Sequence, residues 1–481
     1  MARTAHRLLL LAGICTAAAP ALADDLRGAL EAAYRTNPSL QAARASQRAT
    51  DEGVPIARAA GLPSLSGAAS YTEFVQKSAN NFTAPDRAFD AQANLSVPIY
   101  SGGAVKNSVR AAETRVDAGE ADLRGTESGI FSQVVAVYMD VILNQAVVGL
   151  RRGNVDVLAV NLQATSDRFQ IGDLTRTDVA QSQSRLSTAR SDLRAAQSNL
   201  IASRERYIQS VGKVPVDLQA PPPLPGMLST PDEAALIALD SNPDLIAARQ
   251  RAKAAGYDVR TASAARLPKV SVFTGADYTD YFGSLGGSSA AGVFAQRQTT
   301  AQAGIRASIP LFQGGLPAAQ RRQAQARESA ALEQEIGAER EVIAQVRAAF
   351  ASWQAAEEII ASNQTAVEAA SLSLEGVRAE NTVGNRTVLD ILDAEQELLS
   401  AQVRLVTARR NAYVAGFSLL AAMGKAEARD LGLDGGALYD PQINYNRVRR
   451  AWSDWSNDPA PVAQSTRTVD TPAQNGSIQG Q

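Results

Sequence analysis

Val97-Pro98-Ile99-Tyr100-Ser101-Gly102-Gly103 returns 212 residues later as Ile309-Pro310-Leu311-Phe312-Gln313-Gly314-Gly315, and this pair decides the fold. Each copy marks a change of periodicity. Before it, Phe89, Ala91, Ala93, Leu95 and Val97 alternate with Asp90, Gln92, Asn94 and Ser96. In the second copy Ala301, Ala303, Ile305, Ala307 and Ile309 alternate with Gln302, Gly304, Arg306 and Ser308. Period two is the signature of a strand with unlike faces. After each Gly-Gly the pattern turns helical. Ile130, Val134, Val137, Val141, Val148, Val155, Leu158, Leu162 and Phe169 keep a seven-residue spacing, interrupted by Asn144 and Arg151. That is coiled-coil spacing. Pro98, Gly102, Gly103, Pro310, Gly314 and Gly315 are therefore read as strand-to-helix turns.

Working outward, the copies extend well beyond the turns. Asn37-Pro38 matches Asn242-Pro243 and Leu62-Pro63 matches Leu267-Pro268, both at an offset of 205. The offset of 212 then holds for Tyr138/Phe350, Gly172/Gly384, Thr175/Thr387, Asp178/Asp390 and Gly212/Gly424. The second copy gained seven residues between its strands and none in its helices, as loops accept insertions and packed helices do not. Each unit reads as a helix of about 24 residues (Pro38–Gly61, Pro243–Arg266), a strand pair, and a long helical hairpin. From Ala104 to Gln170 a helix would reach about 100 Å. A unit so thin is expected to bury no core of its own. The first repeat spans 24–212, a linker 213–230, the second repeat 231–424, and a further segment 425–455. From Ser456 the Pro, Gln, Ser, Thr and Gly content predicts a disordered tail to residue 481.

The N-terminus reads as an export signal over residues 1–23. Arg3 and Arg7 precede an apolar run from Leu8 to Ala19 and the small-residue site Ala21-Leu22-Ala23. Cys15 raises a lipoprotein alternative, which the bulky Ile14 before it disfavours. The only His (His6) and only Cys (Cys15) leave with the signal, so the mature chain lacks imidazole and thiol chemistry and Cys/His metal sites. Losing two Arg takes the formal charge from −2 to −4, which does not suit nucleic acid. No nucleophile motif appears, and no cofactor, metal or enzyme activity is expected. No later run was read as approaching the roughly 20 apolar residues of a membrane helix, so membrane insertion is expected through strands.

The alternating segments fit a half-buried soluble sheet or a transmembrane barrel. Eleven of 25 aromatic residues fall in Tyr71–Tyr100 and Phe273–Phe312, and barrel interfaces want such girdles. The Gly/Ser-rich stretch Phe282–Gly292 suits an extracellular loop. Four strands per chain cannot close a barrel, so an oligomer is required, its number left open between two, three and four.

These features resemble the TolC family of outer-membrane channels from Leu26 to about Trp455. The resemblance rests on the tandem repeat, the Pro-aliphatic-aromatic-x-Gly-Gly turns and the tip motifs Gly172-Asp173-Leu174-Thr175-Arg176-Thr177-Asp178-Val179 and Gly384-Asn385-Arg386-Thr387-Val388-Leu389-Asp390-Ile391-Leu392-Asp393-Ala394. Tyr439-Asp440-Pro441, Asn444-Tyr445 and Trp452-Ser453-Asp454-Trp455 are similar to the type I secretion branch. The resemblance implies an α+β membrane protein: a homotrimer whose 12-stranded transmembrane β-barrel is continued by an α-helical coiled-coil tunnel. It further implies outer-membrane lipids, a periplasmic adaptor (membrane fusion protein) and an inner-membrane ABC or proton-driven transporter as partners. Gly172, Leu174, Thr175, Gly384 and Thr387 would form adaptor-docking tips. Asp390 and Asp393 would form an acidic entrance ring, and Asp178, Arg386, Asp167 and Asn381 the gate contacts, with Arg386 able to engage Asp178. Asn381 and Asp167 depart from the family pattern. From the residues alone, Asp178 and Asp390 also read as capping-box partners of Thr175 and Thr387, and Trp452 and Trp455 as packing around the tunnel. A periplasmic adaptor is the competing function, but it predicts one helical hairpin, not two.

Overall fold

The computed structural model describes residues 25–77, 84–286, 293–433 and 438–478. The export signal and residues 287–292 of the expected extracellular loop lie outside them. In chain order the elements of the first repeat are α1 (Leu26–Thr36), α2 (Pro38–Asp51), α3 (Gly53–Ala59), β1 (Ser64–Glu73), β2 (Arg87–Tyr100), α4 (Ala104–Gln170) and α5 (Arg176–Val211). The second repeat holds α6 (Pro231–Ser241), α7 (Pro243–Ser263), β3 (Lys269–Asp280), β4 (Arg297–Ser308), α8 (Leu316–Thr382) and α9 (Val388–Ala422), and α10 (Pro441–Val448) follows.

The strands form one antiparallel sheet in the order β1-β2-β3-β4, so the two repeats join at β2 and β3. The register sorts its faces. Leu65, Leu95, Thr274 and Ala303 lie in one cross-strand row, and Val97, Val272 and Ile305 in another, on the same face. The opposite face carries rows such as Ser66–Asn94–Gly275–Gln302 and Ser70–Asp90–Thr279–Gln298. One face is thus apolar and the other polar. Among the described residues nothing covers the apolar face: Leu65 is 76% and Ile305 73% exposed. Strands of 10–14 residues with this alternation match a barrel wall, lipid-facing on one side and lumen-facing on the other.

Gly103 and Gly315 cap α4 and α8 with φ of 83°, a left-handed geometry that glycine adopts without penalty. Gly102 makes a close approach as well. A Cβ there would lie 2.7 Å from Leu267 Cβ and 3.0 Å from the Ala264 carbonyl, across the seam between repeats. Its counterpart Gly314 has nothing within 4 Å.

Several expectations need correction. The first 24-residue helix breaks at Glu52, because Pro55 has no N–H to bond the Asp51 carbonyl; Arg260 at the matching place leaves α7 continuous. Helices α1 and α6 precede the Asn-Pro pairs and were not foreseen. Asn37 and Asn242 cap the following helices by accepting from Ser39 and Leu40, and from Asp244 and Leu245. Each also donates to the far end of its own repeat's return helix, Asn37 to Ser210 O (3.0 Å) and Asn242 to Ala422 O (2.9 Å). With α1, α6 and the linker wrapped around the long helices, the unit does bury a core at its waist, built on Leu40, Phe131, Val134, Tyr138, Leu200, Tyr207, Leu245 and Phe417. Contrary to the expectation that no later run approaches a membrane helix, a stretch of α4 has a mean hydropathy of 1.5, which would suffice for one; 39% of it is buried within the chain. The residues after Ser456 form no helix or strand through 478, yet the last of them are docked. Arg204 donates to Asn475 O (2.6 Å), Gln474 N donates to Glu205 (3.0 Å), and Ile478 packs against the core.

Candidate functional site at the hairpin tips

Each long helix reverses through a five-residue tip, and local chemistry fixes both reversals. Gly172 (φ 84°) and Gly384 (φ 83°) end α4 and α8 in left-handed geometry. Asp173 N bonds Arg168 O and Asn385 N bonds Glu380 O, each at 3.0 Å, so the last carbonyls are satisfied. Thr175 and Thr387 then open the return helices with full capping boxes. In both, the threonine N–H and hydroxyl donate to the aspartate at 2.8 and 2.7 Å, and the aspartate N–H donates back to the hydroxyl at 3.3 Å. Bonds from the Thr175 backbone and hydroxyl hold the Asp178 carboxyl below the usual carboxylate range. The Thr387 hydroxyl and backbone do the same for Asp390, with Arg386 adding attraction. Asp178 and Asp390 are therefore capping residues and ionised.

The gate contacts are arranged differently from expectation within one chain. Arg386 pairs with Glu380 (2.7 Å), not with Asp178, whose carboxylate Thr175 occupies. Glu380 bonds Arg386 strongly enough to raise the guanidinium pKa further. Asn381 donates to Arg386 O (2.7 Å) and braces the same turn. Asp167 accepts from Gln163 (2.9 Å) on its own helix and touches none of the others. Leu174 is half-buried in the first tip. Asp393 points away from the cap but is not a bare carboxylate: Arg185 of α5 reaches it at 2.6 Å, with both side chains about half exposed.

One group was missed entirely. Glu395, only 6% exposed, accepts from Arg378 of α8 (2.9 Å) and from Asn161 of α4 (3.1 Å to each oxygen). It ties the two hairpins together beside a small apolar cluster of Leu158, Leu186, Ala189 and Leu392. Comparing the copies gives a signal for it. The positions matching Glu395, Asp393 and Arg378 in the first repeat are Gln183, Gln181 and Ser166, and the position matching Arg185 in the second is Glu397. At these four positions the copies differ in charge, and there the two hairpins touch each other.

The chain matches the family model described as outer membrane efflux protein over residues 29–213 and 236–425, one block per repeat. It is 33% identical over 444 residues to the outer membrane efflux protein BepC of Brucella suis, covering 92% of this chain and 94% of that one. It is 27% identical to the outer membrane protein TolC of Escherichia coli, with 94% of each chain covered. Among solved structures, the outer membrane protein VceC of Vibrio cholerae superposes with a TM-score of 0.70 at 24% identity, covering 83% of this chain and 96% of that one.

Proposed function

The chain belongs to the outer membrane efflux protein family, and from that premise we propose that it works as a homotrimeric exit duct fed by a periplasmic adaptor and an energised inner-membrane transporter. The observation that carries this reading is the sheet. It has an uncovered apolar face, a polar face and two free edges at β1 and β4, and backbone edges in lipid must be closed by further strands. Three chains give twelve strands and six helical hairpins around one axis.

At the far end of the tunnel, the tips carry Asp390 and Asp393 from each chain, six carboxylates in the trimer. Rings of acidic side chains favour cations in a pore. Arg185 offsets part of the charge at Asp393, as Arg386 does at Asp390. Gly172, Leu174, Thr175, Gly384 and Thr387 shape the tips that an adaptor would grip. Arg386, Asn381, Asp167 and Asp178 stand where neighbouring tips meet, and opening there would exchange the Arg386–Glu380 pair for new partners. The segment 439–455 supports a cargo from type I secretion, with small-molecule efflux as a second use, and the conduit itself requires no catalytic residue.

Single-channel recording from the full oligomer in planar bilayers tests this. Discrete cation-selective openings are expected, blocked from the tip side by di- or trivalent cations, with the block weakened in Asp390→Asn/Asp393→Asn. Equal block in the variant removes the acidic ring and leaves the duct. Folded oligomers that never insert or conduct overturn the barrel.

A further inference from the structure

Trp452 and Trp455, expected to pack around the tunnel, are 82% and 92% exposed among the described residues. Their position follows from the path of the C-terminal segment. Tyr439 N donates to the Tyr34 hydroxyl (2.8 Å) at the waist. Asn444 then donates to the buried Asp51 (2.7 Å), Tyr445 packs by Val54 and Val109, and Arg449 O accepts from Arg58 (3.4 Å). The segment therefore climbs α2 and α3 toward the barrel. Arg58 lies six residues before β1 begins at Ser64, which leaves about 10–15 Å to the first strand residue. Beyond Arg449 the chain turns and comes back. Arg447 clasps Asp458 through two bonds of 2.7 and 3.0 Å, closing the base of a loop whose apex is Trp452–Trp455.

We infer that this loop is a membrane anchor: Trp452 and Trp455 enter the periplasmic leaflet of the outer membrane, and Arg449 and Arg450 face the phosphates of anionic phospholipids. The inference rests on the outer-membrane barrel reading and goes beyond it. Continuity supports a lipid surface as the occupant, because the loop leaves α3 about 10–15 Å short of the sheet whose apolar face is uncovered. Tryptophan is the side chain that favours the headgroup level, where its ring is half solvated. Charge agrees. With Arg447 and Asp458 paired to each other, Arg58, Arg449 and Arg450 outweigh Asp454 at this level, and basic clusters beside a membrane bind anionic lipid.

The chain has only one other tryptophan, Trp353, which makes the test direct. The Trp353→Phe protein is reconstituted, as the full oligomer, into phosphatidylethanolamine/phosphatidylglycerol vesicles with or without brominated acyl chains. Loop emission should fall to about half or less with brominated lipid, as for indoles at the interface. In matching vesicles with phosphatidylcholine in place of phosphatidylglycerol the quenching should weaken, and Arg449→Gln/Arg450→Gln should lose that difference; unchanged lipid preference overturns the role of the arginines. Leu65→Trp, placed on the sheet's apolar face in a protein with all three native tryptophans changed to Phe, reports barrel insertion separately. Quenching of that residue without quenching of the loop overturns the anchor and leaves the barrel. No quenching of either sinks both. If the loop tryptophans are shielded from acrylamide in detergent-solubilised oligomers but are not quenched by brominated detergent, a neighbouring copy covers them and the anchor is wrong.

Discussion

Thr175 and Thr387 show which single-residue features a sequence discloses. A threonine followed three residues later by a carboxylate, just after a glycine, is a local arrangement that needs no knowledge of the rest of the fold, and both boxes formed as spaced. Because Asp178 and Asp390 titrate below their ordinary values, their contribution is complete above the unfolded carboxylate pKa and fades only as pH falls through the lower folded value. Arg185–Asp393 and the Glu395 cluster were not legible, since they depend on which faces of the two hairpins meet. Glu395→Ala leaves the Arg378 guanidinium and the Asn161 amide facing each other across the junction. The expected loss is about 1–2 kcal/mol of local stability, moderated by the exposure of Arg378. Hydrogen exchange should quicken at the tip ends of α4, α8 and α9 while the waist is unaffected. Unchanged exchange there would remove Glu395 as a tie between repeats.

At the scale of elements, the long helices were readable because their heptad spacing repeats many times over. Ile130, Val134, Val137, Val141 and Val148 are all buried, and the interrupting Arg151 pairs with Asp192 (2.7 Å). Short elements carried too few residues to show a period, which is why α1 and α6 escaped notice. Helix α10 is held by an unusual set of groups. Glu120 of α4 faces Asp117 on its own helix, Asp51 of α2, and Asp440 and Gln442 of α10, while Lys253 of α7 acts on Asp117 and Arg48 on Asp51. Burial first, and then the like charges of Asp117, Asp51 and Asp440, push the Glu120 carboxyl up to about 7. A raised carboxyl holds its proton more tightly folded than unfolded, so its stabilising effect is full below the unfolded value of 4.5 and is lost as pH rises toward about 7. Thermal melts of the oligomer should therefore decline from pH 5 to pH 8, and Glu120→Gln should flatten that slope. A variant with the wild-type slope would assign the pH dependence elsewhere.

For the molecule as a whole, the duplication was plain in the sequence, and the need for several chains followed from four strands. Their number did not, because closure depends on curvature that no residue pattern states. The seam between repeats supplies a direct test. Gly102 packs against Leu267 within the chain, and the residues that match Leu267 and Ala264 one repeat earlier are Leu62 and Ala59. In a closed ring they should cover Gly314 of the adjacent protomer. Leu62→Cys with Gln313→Cys, treated with a short bismaleimide, should give a covalent trimer on a denaturing gel, the one native thiol, Cys15, lying within the expected export signal. Products that stay at the size of one chain would mean that the ring closes some other way.

The seam at Gly102 also sets an order of events. Its two halves are tethered by one polypeptide, so they meet at an effective concentration in the millimolar range whatever the cell contains. The equivalent seam expected at Gly314 must wait for a diffusional encounter between separate chains, at a rate that scales with how many are present. Duplication has cut the bimolecular meetings that a six-unit ring requires from five to two. Expression level, more than folding of the protomer, is left to govern how quickly functional rings accumulate.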